Sequence, residues 1–184
     1  MDKTDRLRNY GLAFLLYEQG LGICGYELIR ELFIFVKLIL NSYLNMVIGY
    51  TTGVYDMFHI GHLNILRRAK EQCDYLIVGV STDELVQHDK HKTPIIPLDE
   101  RMKIVEAIRY VDKVVPQFNK NKMEAWEKYH FNKMFVGSDW KNTDTWKHFE
   151  EQFHPLGVEI VYLEHTDGIS STILRKKLSK EETI

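Results

Sequence analysis

Two histidines separated by an isoleucine and a glycine, His59-Ile60-Gly61-His62, are the residues of this chain best placed to do chemistry. The apolar run Met46-Val47-Ile48 leads into a turn centred on Gly53, and the turn ends in these histidines at the mouth of a helical pattern. A helix starting there aims unpaired backbone N–H groups and the positive end of its dipole at the loop, which favours an anion. Gly61 lets a ligand approach the backbone closely. As metal ligands the pair would need a further His, Cys or carboxylate at suitable spacing, and none lies nearby. As core histidines they would belong inside an apolar periodic stretch, yet they stand at a loop-to-helix junction. Phosphate donors are the best account, because an imidazole titrates near about 6.5 and serves a polyphosphate either as neutral donor or as cation. Such a group stabilises the charge that builds when one phosphoryl group is exchanged for another.

That chemistry needs positive charge from several directions. Lys90 and Lys92 alternate in QHDKHKTPIIP, Gln87 to Pro97, a polar, proline-bounded stretch that reads as a loop. Arg101 and Arg109, in DERMKIVEAIRYVD, share roughly one helix face. Either one closes a nucleotide site, or one is buried as an ion pair with Glu106 or Asp112. Asp139 and Trp140 follow a strand, where the carboxylate can accept hydrogen bonds from a base or hydroxyl, or hold magnesium through water, and the indole can simply pack. Thr166 to Thr172, TDGISST, opens a further helix with three hydroxyl residues in a row, more than an ordinary cap requires.

The elements that must position these groups alternate. Strands are expected at 47–51, 75–80, 113–115, 134–136 and 158–162, with helices at 62–72, 99–110, 122–129, 146–154 and 170–178. This βα order predicts an α/β fold with a parallel sheet, helices on both faces and ligands at the carboxyl ends of the strands. A domain boundary is placed at Asn45-Met46, separating a helical extension, 1–45, from a catalytic domain, 46–184. The extension is expected to hold two helices broken around Gly20-Leu21-Gly22, the second amphipathic through Leu28, Leu32, Phe35, Val36 and Ile39. That stripe suits packing on the domain or a second subunit, hence an expected homodimer, with lying on a membrane surface the alternative that its charges of mixed sign disfavour. Glu18, Glu27, Arg30, Glu31 and Lys37 interrupt the apolar 12–47 segment, leaving no run of the roughly 18–20 residues that crosses a bilayer. A formal net charge of −2 supplies no basic field for nucleic acid. The two cysteines, Cys24 and Cys73, have no metal-type spacing, and no signal-peptide pattern opens the chain, so a cytoplasmic protein is expected.

Taken together, GVYDMFHIGH, YLIVGVSTDEL, ERMKIVEAIRYVDKVV, FVGSDW and TDGISSTILR, in that order, resemble the cytidylyltransferase family of His-x-Gly-His nucleotidyltransferases. The resemblance covers about Met46 to Leu178. It implies a Rossmann-like sheet and transfer of CMP from CTP to a small phosphorylated alcohol, most simply sn-glycerol 3-phosphate, with Mg2+ and release of pyrophosphate. It further implies that His59 and His62 stabilise the transition state, with Lys90 and Lys92 reaching the acceptor phosphate and the CTP phosphates. Gly53, Val54, Tyr55 and Asp56 would line the triphosphate and metal side. Arg101, Arg109, Asp139 and Trp140 would approach the nucleotide, with Thr166 and Gly168, Ile169, Ser170, Ser171 and Thr172 cradling the triphosphate.

The chain departs from the family at His165, where an arginine is usual beside the nucleotide, and in the loop before Arg101, one residue longer. The lysine that follows the RYVD block is either Lys120 or Lys122, which bears on the acceptor site. Other acceptors (ethanolamine phosphate, a pentitol phosphate), ATP in place of CTP, and a non-catalytic nucleotide-binding domain are the competing readings. A tRNA synthetase, suggested by His-Ile-Gly-His and by Lys177-Leu178-Ser179-Lys180, is disfavoured by the chain's length and the lack of a basic face.

Overall fold

In a computed structural model of the protein, residues 23–181 are described. The expected break around Gly20-Leu21-Gly22 lies outside them. The chain divides between Asn45 and Met46 into two units. In the first, α1 spans Ile23–Leu44, and its Leu32, Phe33, Phe35 and Leu38 side chains are exposed.

The second unit is built on five strands, β1 (Ile48–Gly53), β2 (Tyr75–Ser81), β3 (Lys113–Gln117), β4 (Lys133–Gly137) and β5 (Glu159–Leu163). Their order is β3-β2-β1-β4-β5 and every pairing is parallel. Parallel strands covered on both faces read as continuous apolar runs, and Leu76 to Val80 of β2 is such a run, buried throughout. Helices α2 (Ile60–Lys70) and α4 (Leu98–Glu106) cover one face, where Leu66, Ala69 and Val105 pack with Leu76, Val78 and Val80. On the other face lie α5 (Lys122–Tyr129) and α6 (Asp144–Phe153), whose Trp146 and Phe153 pack with Tyr50, Ile77 and Met134. Side chains pin the strand starts: Asp74 Oδ2 accepts the Val47 N–H at 2.7 Å and Asn132 Oδ1 accepts the Ile48 N–H at 2.8 Å. Gly49 is required by close approach, since a Cβ there would lie 2.6 Å from both Cys73 Sγ and the Phe135 ring.

Because the chain runs from β1 to β2 and β3 on one side and returns to β4 and β5 on the other, the order reverses beside β1. The crevice beyond the carboxyl ends of β1 and β4 is therefore the natural ligand position.

Two helices differ from expectation. Lys90 is not in a loop: it ends α3 (Asp83–Lys90), and only the stretch from His91 onward is irregular. Thr82 starts that helix, its hydroxyl accepting the Leu85 N–H, with Asp83 and Glu84 in the first turn. The proline-bounded segment beyond it obscured that signal. In turn, α4 stops at Glu106, so Arg109 does not share its face but lies exposed in the following turn. The last helix, α7, spans Ser171–Glu181.

Candidate active site

The loop from β1 to α2 is held in a demanding conformation. Tyr55 and Met57 take positive φ values of 56° and 48°, left-handed positions that cost a non-glycine residue energy and persist only under surrounding constraint. The constraint is visible. Tyr55 is buried against the α2 face, and Asp56, also buried, accepts the Ile95 and Ile96 N–H groups as well as the Arg175 guanidinium. Burial pushes the Asp56 carboxyl up, but the Ile96 and Ile95 bonds and Arg175 outweigh it and hold the carboxyl below the usual carboxylate range. Asp56 thus ties loops together; both of its oxygens are engaged, which leaves it poorly suited to the metal role the resemblance implied. Among the described residues no group of three or more His, Cys, Asp or Glu is placed to hold a metal ion.

His59 caps α2 with its own ring, Nδ1 accepting the Gly61 N–H at 3.1 Å. With Nδ1 an acceptor, the neutral ring carries its proton on Nε2. Gly61 serves this arrangement directly: a Cβ there would lie 2.9 Å from His59 Cε1, so the missing side chain makes room for the imidazole rather than for a ligand alone. His59 and His62 stack with ring centroids 3.8 Å apart, and Tyr55 and Phe58 stand against His62. Burial, then His59, pushes His62 down to about 4 against a smaller opposing pull from Asp56, and its Nδ1 is buried without a hydrogen-bond partner. Burial, then His165, also lowers His59. Both rings are neutral near pH 7, donors held in a weakly polar recess.

His62 lines a cleft at the ends of β1 and β4 together with Thr52, Gly53, Tyr55, Gly137 and Trp140. Trp140 is exposed on a short 3-10 turn, Ser138–Trp140, which also carries the exposed Asp139. At the far side of β1's end, Lys122 is buried and donates from Nζ to Thr52 Oγ1 at 3.1 Å. Burial, then the Lys120 charge, pushes its ammonium down to about 8. Lys120 itself pairs with Asp89 at 2.9 Å. Partial burial, then Lys120 and more weakly Lys92, lowers Lys90. Lys90 therefore feels Lys120 and Lys92, and Lys122 feels Lys120, a cationic cluster drawn from the end of α3 with the stretch after it and from the start of α5 with the loop before it.

Arg101 is elsewhere. It is fully buried, donating to the Ile96 and Val54 carbonyls and to Asp83, not to Glu106 or Asp112. All three of its nitrogens are committed, so its service to the site is to hold the loops, including Val54. The hydroxyl-rich block is divided in its duties. Thr166 Oγ1 accepts from Asn64 Nδ2, and His165 Nδ1 lies 3.0 Å from the Thr166 carbonyl. Gly168 has φ +77°, and Ile169 packs toward Gly61. Ser170 Oγ accepts the Ile173 N–H, Ser171 Oγ donates to the Asp56 carbonyl at 2.8 Å, and Thr172 is exposed. The residues the sequence reading missed are Thr52, Asn64, Asp83 and Arg175. The one signal for Arg175 was its place four residues after Ser171, on the same side of a helix.

A parallel sheet with a switch point, a His-x-Gly-His turn in the crevice and a hydroxyl-rich second helix start define a Rossmann-like nucleotidyltransferase. A solved structure of the lipopolysaccharide core biosynthesis protein from Thermoplasma volcanium GSS1 has the same fold, with TM-score 0.56 and 22% identity over 66% of this chain and 98% of that one. Residues 50–177 match the family described as cytidylyltransferase-like, and the chain belongs to that family. The glycerol-3-phosphate cytidylyltransferase of Staphylococcus aureus (strain NCTC 8325 / PS 47) is 40% identical over 129 residues, 70% of this chain and 92% of that protein. The enzyme of the same name from Bacillus subtilis (strain 168) is 35% identical over 130 residues, 70% of this chain and 95% of that protein.

Proposed function

We propose that the protein transfers CMP from CTP to sn-glycerol 3-phosphate, giving CDP-glycerol and pyrophosphate. An oxygen of the acceptor phosphate attacks the α-phosphorus of CTP; the new P–O bond forms as the bond to the β-bridging oxygen breaks, and pyrophosphate leaves with the electron pair. One observation carries this reading: the end of β1 has two stacked, neutral imidazoles on one side and a buried ammonium on Thr52 on the other. An α-phosphate at the imidazoles and an acceptor phosphate at the lysines would face each other there. The two glycerol-3-phosphate cytidylyltransferases, aligned over nearly their whole length, support the acceptor. Gly53, Val54 and Tyr55 would border the triphosphate, Asp139 and Trp140 the cytosine, and His165, Thr166 and the Gly168–Thr172 turn the β- and γ-phosphates. Arg109 is exposed in the turn after α4, close in sequence to Asp112, which bonds Leu76 at the amino end of β2, so it stands away from the carboxyl-end crevice and takes no part in this arrangement. Mg2+ would enter on the phosphates of CTP, which suits a site where the Asp56 carboxylate is already engaged. A cytoplasmic role supplying CDP-glycerol for cell-surface polymers follows from this reading.

Pyrophosphate release across CTP, ATP and an array of phosphorylated alcohols tests it. The expected result is turnover with CTP and sn-glycerol 3-phosphate above ethanolamine phosphate and pentitol phosphates; equal or greater turnover with another acceptor would reassign the substrate.

The depressed pKa of Lys122 has a functional sign. Its ammonium is charged below about 8 and neutral above it, so acceptor binding weakens as pH rises through that value. The KM for sn-glycerol 3-phosphate should climb between pH 7 and 9 more than the KM for CTP, and Lys122→Met should raise it at pH 7 and flatten the profile. Stability runs the other way. The unfolded lysine, at 10.5, holds its proton through the window from about 8 to 10.5 in which the folded one gives it up, so this group's contribution to stability rises across that window.

The exposed apolar side chains of α1 support a homodimer formed through that helix. Truncation before Asn45 should leave a monomer of the shortened chain where the full chain is a dimer, read from the mass in solution; a shortened chain that still has the mass of a dimer removes the idea.

A further inference from the structure

Asp56 is the meeting point of three segments that are remote in sequence. Its own loop leads into His59 and His62. The Ile95 and Ile96 N–H groups, 3.0 Å from Oδ1, belong to the irregular segment that begins at His91 and carries Lys92. The third is α7, whose Ser171 hydroxyl donates to the Asp56 carbonyl and whose Arg175 donates to Oδ2. Arg175 does more than neutralise a carboxylate, because the same Nη2 also donates to the Thr93 carbonyl at 3.0 Å. One guanidinium therefore joins the helix that starts beneath the Gly168–Thr172 turn to the backbone next to Lys92.

We infer that Arg175 is a positioning residue that couples the triphosphate side of the site to the lysine-bearing segment, so that CTP docking sets where Lys92 points. This rests on the reading of the site as a CTP and acceptor-phosphate centre. The mechanical case is short. Residues 91–93 form no helix or strand, and the Lys92 and Thr93 side chains are exposed; the end of α3 holds the stretch through the His91 N–H on the Gln87 carbonyl and the Thr93 hydroxyl on Gln87 Oε1, and the bonds to Asp56 and Arg175 tie its backbone to the site. Ligand phosphates that order the first turn of α7 also order Arg175, one turn further along the same helix. Held by Arg175, Thr93 fixes its neighbour Lys92; released, Lys92 samples positions away from the acceptor phosphate, and small misplacement of a charged group is costly to a transfer step.

The test uses the full chain. Arg175→Met is expected to worsen kcat/KM for sn-glycerol 3-phosphate by ~10- to 100-fold while the CTP dissociation constant, measured by calorimetry, moves by less than ~3-fold. Arg175→Lys, which keeps a cation within reach of Asp56 and Thr93, should recover most of the loss. Equal factors on CTP binding and on the acceptor, or an acceptor kcat/KM unchanged within ~2-fold, would overturn the inference in favour of a merely structural contact. A measurement on the unaltered protein stands beside these in case the methionine variant does not fold: adding CTP should slow hydrogen exchange at the Ile95 and Ile96 amides, and exchange indifferent to CTP overturns the coupling. If the unaltered protein binds CTP with this protection yet turns over no phosphorylated alcohol, the proposed reaction fails while the coupling stands.

Discussion

Replacing either histidine of the β1–α2 turn by alanine is expected to lower kcat by ~10²–10³ while CTP binding weakens far less, the loss seen when a preorganised donor at a reacting centre is removed. The direction follows from what the rings are in the free protein. Half-buried and stacked on each other, with Tyr55 and Phe58 against His62, they are uncharged, so they add little long-range attraction for an incoming polyphosphate. Their value grows as negative charge accumulates on the α-phosphate oxygens, when an Nε2–H donor in a weakly polar recess strengthens and proton sharing becomes favourable. His59→Ala has a second consequence, since its Nδ1 is the N-terminal cap of α2 and the Gly61 N–H would lose its partner. His59→Asn, which keeps a capping acceptor, separates the two: kcat should stay low while thermal stability returns. Proton NMR gives an independent check. His62 should titrate near 4 without ligand and move upward when CTP is bound, because a polyphosphate favours the imidazolium. Variants retaining near-normal kcat would remove the histidines from the reaction.

Arg101→Met is expected to be the most damaging substitution away from the reacting centre, costing ~3–5 kcal/mol of stability. Three acceptors lose their donor at once, the carbonyls of Val54 and Ile96 and the carboxylate of Asp83. The last of these also accepts the Leu98 N–H at the start of α4, whose own cap position is Pro97, with no side-chain cap bond. Two structures that frame the site, the loop after Gly53 and the start of α4, would loosen together. For a chain of this length such a loss corresponds to a fall of roughly 10 °C in melting temperature, measurable by calorimetry. Arg101→Lys should rescue little, because a single ammonium cannot replace three separately directed donors. A melting temperature within ~2 °C of the parent would mean that the buried arginine is not what holds these loops.

The contrast between Arg101 and Arg109 shows where legibility in the sequence ends. Eight residues apart, both read as members of one helix face that either served the nucleotide or formed an ion pair. The helix stops at Glu106, and Arg101 pairs with Asp83 from a helix that the proline-bounded stretch after it had hidden. Neither outcome has a local cause. Where a helix frays and which carboxylate meets a buried guanidinium depend on strands and loops brought in from elsewhere. The same holds for Lys122, whose burial against Thr52 depends on β1 passing beneath the start of α5.

What the residues determined by themselves was whatever rests on short-range order. The alternation of apolar runs with 3.6-residue periodicity set the five strands and most of the helices, and the spacing in His-Ile-Gly-His set a turn at a helix start. Tertiary structure decided which of the polar groups near that turn remain free for a ligand. Asp56, a candidate for metal or triphosphate by position, spends both oxygens on Ile95, Ile96 and Arg175. Gly61 yields its space to His59, and Lys122 loses much of its proton affinity to burial. Gly61 and His59 are neighbours within one helix start, but for Asp56 and Lys122 the physical reason is common: desolvation and hydrogen-bond partnership are properties of the packed surroundings, and segments remote in sequence supply the partners.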